Sequence, residues 1–153
     1  MAETLGMLCD KLTIVQLKQY HTLDDFRSKS LAEQITSLKE EINEFIVDAV
    51  SGKIPPHKLT FDSNKVFKTD GNVIPDVSGD FGEIFFRLSE VNCELWHEQE
   101  KVYEFENVPA HEKDTVVKKL ALLNLERNSC IDNLNKNFLQ LINIKSTEIN
   151  AHS

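Results

Sequence analysis

Apolar residues recur along this chain at steps of three and four, the spacing that lines one face of an α-helix. Leu5, Leu8, Leu12 and Val15 share such a face, and Thr4 has a capping side chain, so a first helix is predicted from about Thr4 to Tyr20. The pattern over His21–Asp25 is compatible with either a continuation or a break. Leu31, Ile35, Leu38, Ile42, Phe45 and Ala49 alternate steps of four and three, which predicts a second helix over Leu31–Val50 with a bundle seam. Ser51-Gly52 stops it, Gly52 serving as the residue after the cap, and Pro55-Pro56 prevents its resumption.

Ile84, Leu88, Val91, Leu95 and Val102 predict a third helix from near Phe81 to about Phe105, its stripe widened by Phe81, Phe85, Asn92, Trp96 and Tyr103. On its far side Phe86, Cys93 and His97 lie within about 40° of one another. A helix apolar on two sides is either sandwiched within the fold or shared with another subunit. After Asn107-Val108-Pro109-Ala110, a fourth helix is predicted from about Glu112 to Ile144, with Val117, Leu120, Ile131, Leu134, Phe138 and Leu141 in register. Asn124 and Arg127 interrupt that stripe, and the polar tail from Lys145 is expected to fray.

The helices come in copies. Leu5–His21 aligns with Phe81–His97 at a constant offset of 76 positions, His21 against His97. Gly6/Gly82, Leu8/Ile84, Lys11/Arg87, Leu12/Leu88, Thr13/Ser89, Gln16/Asn92 and Tyr20/Trp96 agree in kind. Amphipathicity alone does not demand matched glycines, amides and aromatic-His pairs, so a duplicated unit is inferred. The second helix echoes the fourth at an offset of 85, Ile35 against Leu120, with Leu38/Leu123, Glu41/Glu126, Asn43/Asn128 and Ile46/Ile131. The expected fold is therefore all-α: a four-helix bundle of two duplicated αα-hairpins related by a pseudo-twofold axis. In a single domain, 1–53 forms the first hairpin, 54–80 an irregular crossover, 81–145 the second hairpin and 146–153 a tail. Lys65–Lys68 and Asn72–Ile74 flank Thr69-Asp70-Gly71, so the crossover can hold a small β-hairpin.

A length of 153 residues with 41% hydrophobic and 27% charged is that of a single globular domain able to bury a substantial core. The formal net charge of −8 repels phosphate backbones and anionic lipids, so neither nucleic acid nor a membrane is an expected partner. No apolar run is long enough to span a bilayer, and the N-terminus lacks the layout of a signal peptide, so a cytoplasmic location is expected. Cys9, Cys93 and Cys130 are odd in number and widely spaced, which points to reduced, buried thiols.

Three groups of residues are candidates for chemistry. Glu94-x-x-His97 has the helical spacing of half a carboxylate-bridged metal site, but the first copy has Lys18 in place of Glu94, leaving His21 and His97 as capping or interface histidines. Arg127 on the fourth stripe requires a carboxylate, since an unpaired interior guanidinium is prohibitively costly, and Glu94, Glu98 and Glu41 are the expected partners. Together with Asn92, Asn124, Glu126, Asn128, Trp96 and His97 it forms either a structural polar layer that fixes bundle register or the lining of a small-molecule pocket. Third, Glu40, Glu41 and Glu44 form E-E-x-x-E, and Asp80 and Glu83 form D-x-x-E.

These acids resemble the E-E-x-x-E and E-x-x-D pairs of all-helical nucleotide pyrophosphohydrolases of the MazG type. That resemblance implies a hydrolase of a phosphorylated small molecule or nucleotide, using Mg²⁺ or Mn²⁺ held by Glu40, Glu41, Glu44, Asp80 and Glu83. With Ile42 facing the core, however, Glu40 and Glu44 point about 160° away, as on a solvated face. Leu95-Trp96-His97-x-x-Glu100 followed by Leu123-Asn124-x-x-Arg127-Asn128-x-x-Ile131-Asp132 resembles an all-helical bacterial family catalogued as a domain of unknown function, and Leu5–His21 is similar to its N-terminal helix. That second resemblance implies a fold and no activity. The leading expectation is a non-catalytic interaction or assembly module without a cofactor, acting as a homodimer or with another protein; the hydrolase is the alternative.

Overall fold

In the computed structural model the described residues are 3–61 and 78–151, with the side chains of 146–151 left aside. They form an all-α four-helix bundle: α1 Leu5–His21, α2 Asp25–Val50, α3 Phe81–Tyr103 and α4 Ala110–Ala151. Single 3₁₀ turns lie at Pro56–Lys58 and Phe105–Asn107. The expected β-hairpin over 65–74 falls outside the described residues.

Local chemistry sets the helix ends. Thr4 caps α1 by accepting from the Met7 N–H. Residues 22–24 break the chain after α1. Thr22 closes that helix with an N–H to the Gln19 carbonyl, and Asp24 opens α2 by accepting from the Phe26 and Arg27 N–H groups. The second helix thus starts six residues before the apolar stripe does, because Asp24 supplies the cap while the first turn and a half is solvated. Ser51 and Gly52 end it, with Gly52 at φ 83° in the left-handed region. Helix α4 continues through the predicted frayed tail to Ala151.

Successive helices run antiparallel. Lys11 faces Glu41 across α1–α2, Arg87 meets Glu126 across α3–α4, and Gly6 and Asp10 meet Asn135 and Arg127 across α1–α4. Helices α1 and α3 are parallel, joined by Asn92 to Asp10 and by Trp96 to His21. The tightest core surrounds the N-termini of α1 and α3: Leu5, Cys9, Ile84, Leu88, Cys130, Leu134, Phe138 and Ile142, closed by Ala49 and Leu59. Leu88, Cys130 and Leu134 have no accessible surface. Each large apolar side chain so buried contributes about 1.5–3 kcal/mol.

The register of α4 differs from expectation at both ends. Val116 and Ile142 are buried where Val117 and Leu141 were expected, and the latter two are more than half exposed. The polar residues at 124–128 decide it: Glu126 turns inward to meet Arg87, which rotates Asn124 out to solvent.

Some contacts of the two helical hairpins correspond at the offsets seen in the sequence. Thr13 Oγ1 donates to the Asp10 carbonyl and Ser89 Oγ to that of Phe86, the same bond in each copy. Lys11 beside Glu41 and Arg87 on Glu126 are the same cross-hairpin pair twice. The halves are not equally closed, however. Helix α2 packs along α1 and reaches α4 only near its C-terminus, where Phe45 lies 6.2 Å from Phe138 between ring centroids.

Candidate functional site

A polar layer crosses the bundle midway. Arg127 clasps Asp10 with both arms of its fork, Nε to Oδ1 at 2.9 Å and Nη2 to Oδ2 at 2.5 Å. That hydrogen bond raises the guanidinium pKa further, against the opposing effect of burial. Asn92 Nδ2 donates to Asp10 Oδ1 at 3.0 Å and to Thr13 Oγ1 at 2.7 Å. The expected partners of Arg127 are therefore corrected: its carboxylate is Asp10 on α1, because α4 packs against α1 at this level. Asn124 is exposed and Asn128 half-buried, so of the amides Asn92 alone completes the layer, with Asn135 added lower down on the Gly6 N–H at 2.8 Å.

Glu94 and Glu98 are committed elsewhere. Buried Glu126 takes Arg87 Nε at 2.7 Å, while Glu94 and Glu90 hover at 3.6 and 3.8 Å from the same guanidinium. Glu98 is buried and takes Lys101 and Lys119, each at 3.0 Å. Burial pushes its carboxyl up, but the two ammonium hydrogen bonds outweigh it and hold the pKa below 4.5. Among the described residues no buried side-chain nitrogen or oxygen lacks a partner. Such mutual satisfaction of buried groups helps to fix how the helices mate.

The histidines meet at one end of the bundle. His21 stacks on Trp96 with centroids 4.8 Å apart and planes 16° from parallel, and meets the His97 ring edge-on at 6.4 Å. Trp96 Nε1 donates to Glu100 at 2.9 Å. Glu94 is not drawn to His97. Nearby, Tyr20, Leu23 and Phe26 are 85, 100 and 88% exposed.

The acids of the hydrolase reading face outward. Glu40, Glu41, Glu44, Asp80 and Glu83 are all exposed, and among the described residues no three His, Cys, Asp or Glu side chains converge as a metal site would require. Nor are all the thiols buried, as expected: Cys9 and Cys130 are, and burial raises them to about 12 and about 11, but Cys93 is exposed on α3.

That exposure belongs to a larger feature. The face of α1 bearing Gly6, Asp10 and Thr13 is buried against α4. A Cβ on Gly6 would lie 2.6 Å from the Ile131 carbonyl oxygen. The corresponding face of α3 carries Gly82 and Phe86, both exposed, and half-buried Ser89, with exposed Cys93, the counterpart of Leu17, beyond them; a Cβ on Gly82 would meet nothing within 4 Å. The α2 residues that would answer it by the repeat are Ile42, Ile46 and Val50, counterparts of Arg127, Ile131 and Asn135. Ile42 and Ile46 are partly buried against the core and line an apolar cleft of about 290 Å³ with Leu5, Cys9 and Leu12 of α1, Phe81 and Phe85 of α3, and Lys39. The bundle is closed along α1–α4 by a charged pair and only loosely along α2–α3, where the matching positions by the repeat are half-buried Ile42 and exposed Phe86.

Among the described residues no helix is long and apolar enough to cross a membrane. Compared with known proteins, the chain matches no family model, no curated protein and no solved structure.

Proposed function

We propose that the protein is a non-catalytic assembly module that works as a homodimer, each copy closing the open α2–α3 flank of the other. One observation carries this: Phe86 is 65% exposed on a face whose duplicate, on α1, is buried. The far side of α3, apolar at Phe86 and Cys93, is not sandwiched within the described chain, which leaves the shared-surface alternative.

The second copy fits better than an unrelated protein because the flank carries both halves of the missing seam. Phe86 of α3 and Ile42, Ile46 and Val50 of α2 are the residues that would pair across it, and a twofold arrangement pairs them twice. Charges agree: Lys39 lies on the α2 side, Glu83 and Glu90 on α3, all exposed. Helices of 26 and 23 residues offer flanks roughly 35 Å long and 10 Å wide, on the order of 700 Å² per copy, close to the ~800 Å² per partner of a stable interface. A reducing, cytoplasmic compartment is part of this reading, supported by three free cysteines.

Equilibrium sedimentation tests it. At micromolar concentrations the protein should sediment as a dimer. Phe86→Asp should sediment as a monomer of unchanged helix content, since the aspartate sits in water in the separate chain. A wild-type monomer at about 100 μM, corresponding to no better than about −5.5 kcal/mol of association, refutes the homodimer.

A further inference from the structure

Where α1 ends and α2 begins, a cavity of about 350 Å³ is lined by Lys18, His21, Arg27, Ser30, Gln34 and Trp96, among others. Its ionisable liners are two permanent cations and one imidazole, with no carboxylate, in a chain whose acids outnumber its bases 25 to 17. The lining itself is positive, while Lys18, Ser30 and Gln34 also border an adjoining depression that holds Glu3, Glu33 and Glu41.

The cations are incompletely answered. Among the described residues Lys18 Nζ makes no ion pair. Among the described residues Arg27 pairs with Asp24 alone, at 4.0 Å, and that carboxylate already accepts the Phe26 N–H at 2.8 Å and the Arg27 N–H at 3.4 Å. Lys18 and His21 have an ordinary reason for their place, since cations favour the last turn of a helix. Arg27 has the opposite: it lies in the first turn of α2, where the helix dipole opposes a positive charge. Arg27 borders the cavity with its side chain 79% exposed, so its guanidinium is free to meet a ligand there. The stack on Trp96 holds the His21 ring at the cavity wall, and the Ser30 hydroxyl and Gln34 amide add neutral donors.

We propose that this cavity binds a compact polyanion, a phosphate ester or a small di- or tricarboxylate. Arg27 grips the anion through its planar fork, Lys18 supplies the second charge, and Ser30 and Gln34 complete the shell. The volume, at the lower end for ligand sites, suits a metabolite-sized molecule. The site uses α2 residues other than Lys39, Ile42 and Ile46, so it stands whether or not the dimer forms.

Trp96 is the chain's single tryptophan, and its fluorescence reads the cavity wall directly. The full-length protein is titrated at pH 7 and constant ionic strength with inorganic phosphate, pyrophosphate and citrate, the phosphates and citrate separating the two ligand sources. At least one should give a saturable change with half-saturation below about 1 mM. Arg27→Gln and Lys18→Gln should each weaken it roughly tenfold or more without lowering the melting temperature, because Lys18 makes no ion pair among the described residues and the exposed contact of Arg27 with Asp24 adds little to stability. Absence of saturable change with all three anions up to about 10 mM overturns the proposal, as does undiminished binding in the double variant.

Discussion

Asp10 shows how far single residues could be read in advance. Arg127 demanded a carboxylate by the cost of burying a guanidinium, and that inference holds; the partner was missed because acids on α2 and α3 were weighed and the lone acid of α1 was not. Its signal was available, since Asp10 is the lone acid of α1 and no cation stands three or four residues from it on that helix. Asp10→Ala leaves Arg127 two-thirds buried without its partner and should cost about 2–4 kcal/mol in urea unfolding, scaled down from a fully buried pair. Replacing both, with Met at 127, should recover more than half of that loss, since the penalty lies in the orphaned charge. The glycines divide the same way. Gly6→Ala drives a methyl against the Ile131 backbone oxygen and should cost about 1–3 kcal/mol, whereas Gly82→Ala meets open space and should gain about 0.5 kcal/mol in the dilute protein. Equal effects at the two sites would mean that the seams are equally closed. Sequence equates the two glycines; only the packing distinguishes them.

Helices were legible where an apolar stripe ran unbroken and not where a cap or a buried charge overrode it. The start of α2 is set by Asp24, seven residues ahead of Leu31, and the register of α4 by Glu126, whose inward turn to Arg87 no hydrophobic count foretells. Far from the main core, α3 and α4 are pinned by Glu98 between Lys101 and Lys119. Its pKa is depressed on folding, so its contribution is present above about pH 4.5 and is lost as the pH falls through the lower folded value. Stability measured from pH 6 to pH 3 should therefore fall less steeply in Glu98→Gln than in the parent; parallel curves would show that the pin carries no linkage. The open flank of α3 has its own reporter in Cys93. A thiol reagent should modify Cys93 quickly in dilute protein and leave Cys9 and Cys130 untouched, since burial keeps both protonated and inaccessible. Labelling of Cys93 should slow as concentration rises and the flank is covered.

At the scale of the molecule, two copies that each carry −8 repel one another, yet the faces proposed to meet are apolar at their centre with one lysine against two glutamates at the rim. The competing effects respond oppositely to salt. Screening falls from about 30 Å at 0.01 M to about 10 Å at 0.1 M, so the diffuse repulsion of the whole surfaces weakens strongly while contact between Phe86, Ile42 and Ile46 is untouched. Rim pairs such as Lys39 with Glu83 or Glu90 are exposed and worth at most about 1 kcal/mol each, too little to dominate. Dimerisation should therefore tighten several-fold between about 20 and 200 mM NaCl, read as a fall in the sedimentation dissociation constant. Lys39→Glu should steepen that dependence rather than abolish the dimer. If salt instead loosens the assembly, attraction between opposite charges is holding it, and the apolar flank left by the unequal closure of a duplicated bundle is not the surface that the copies share.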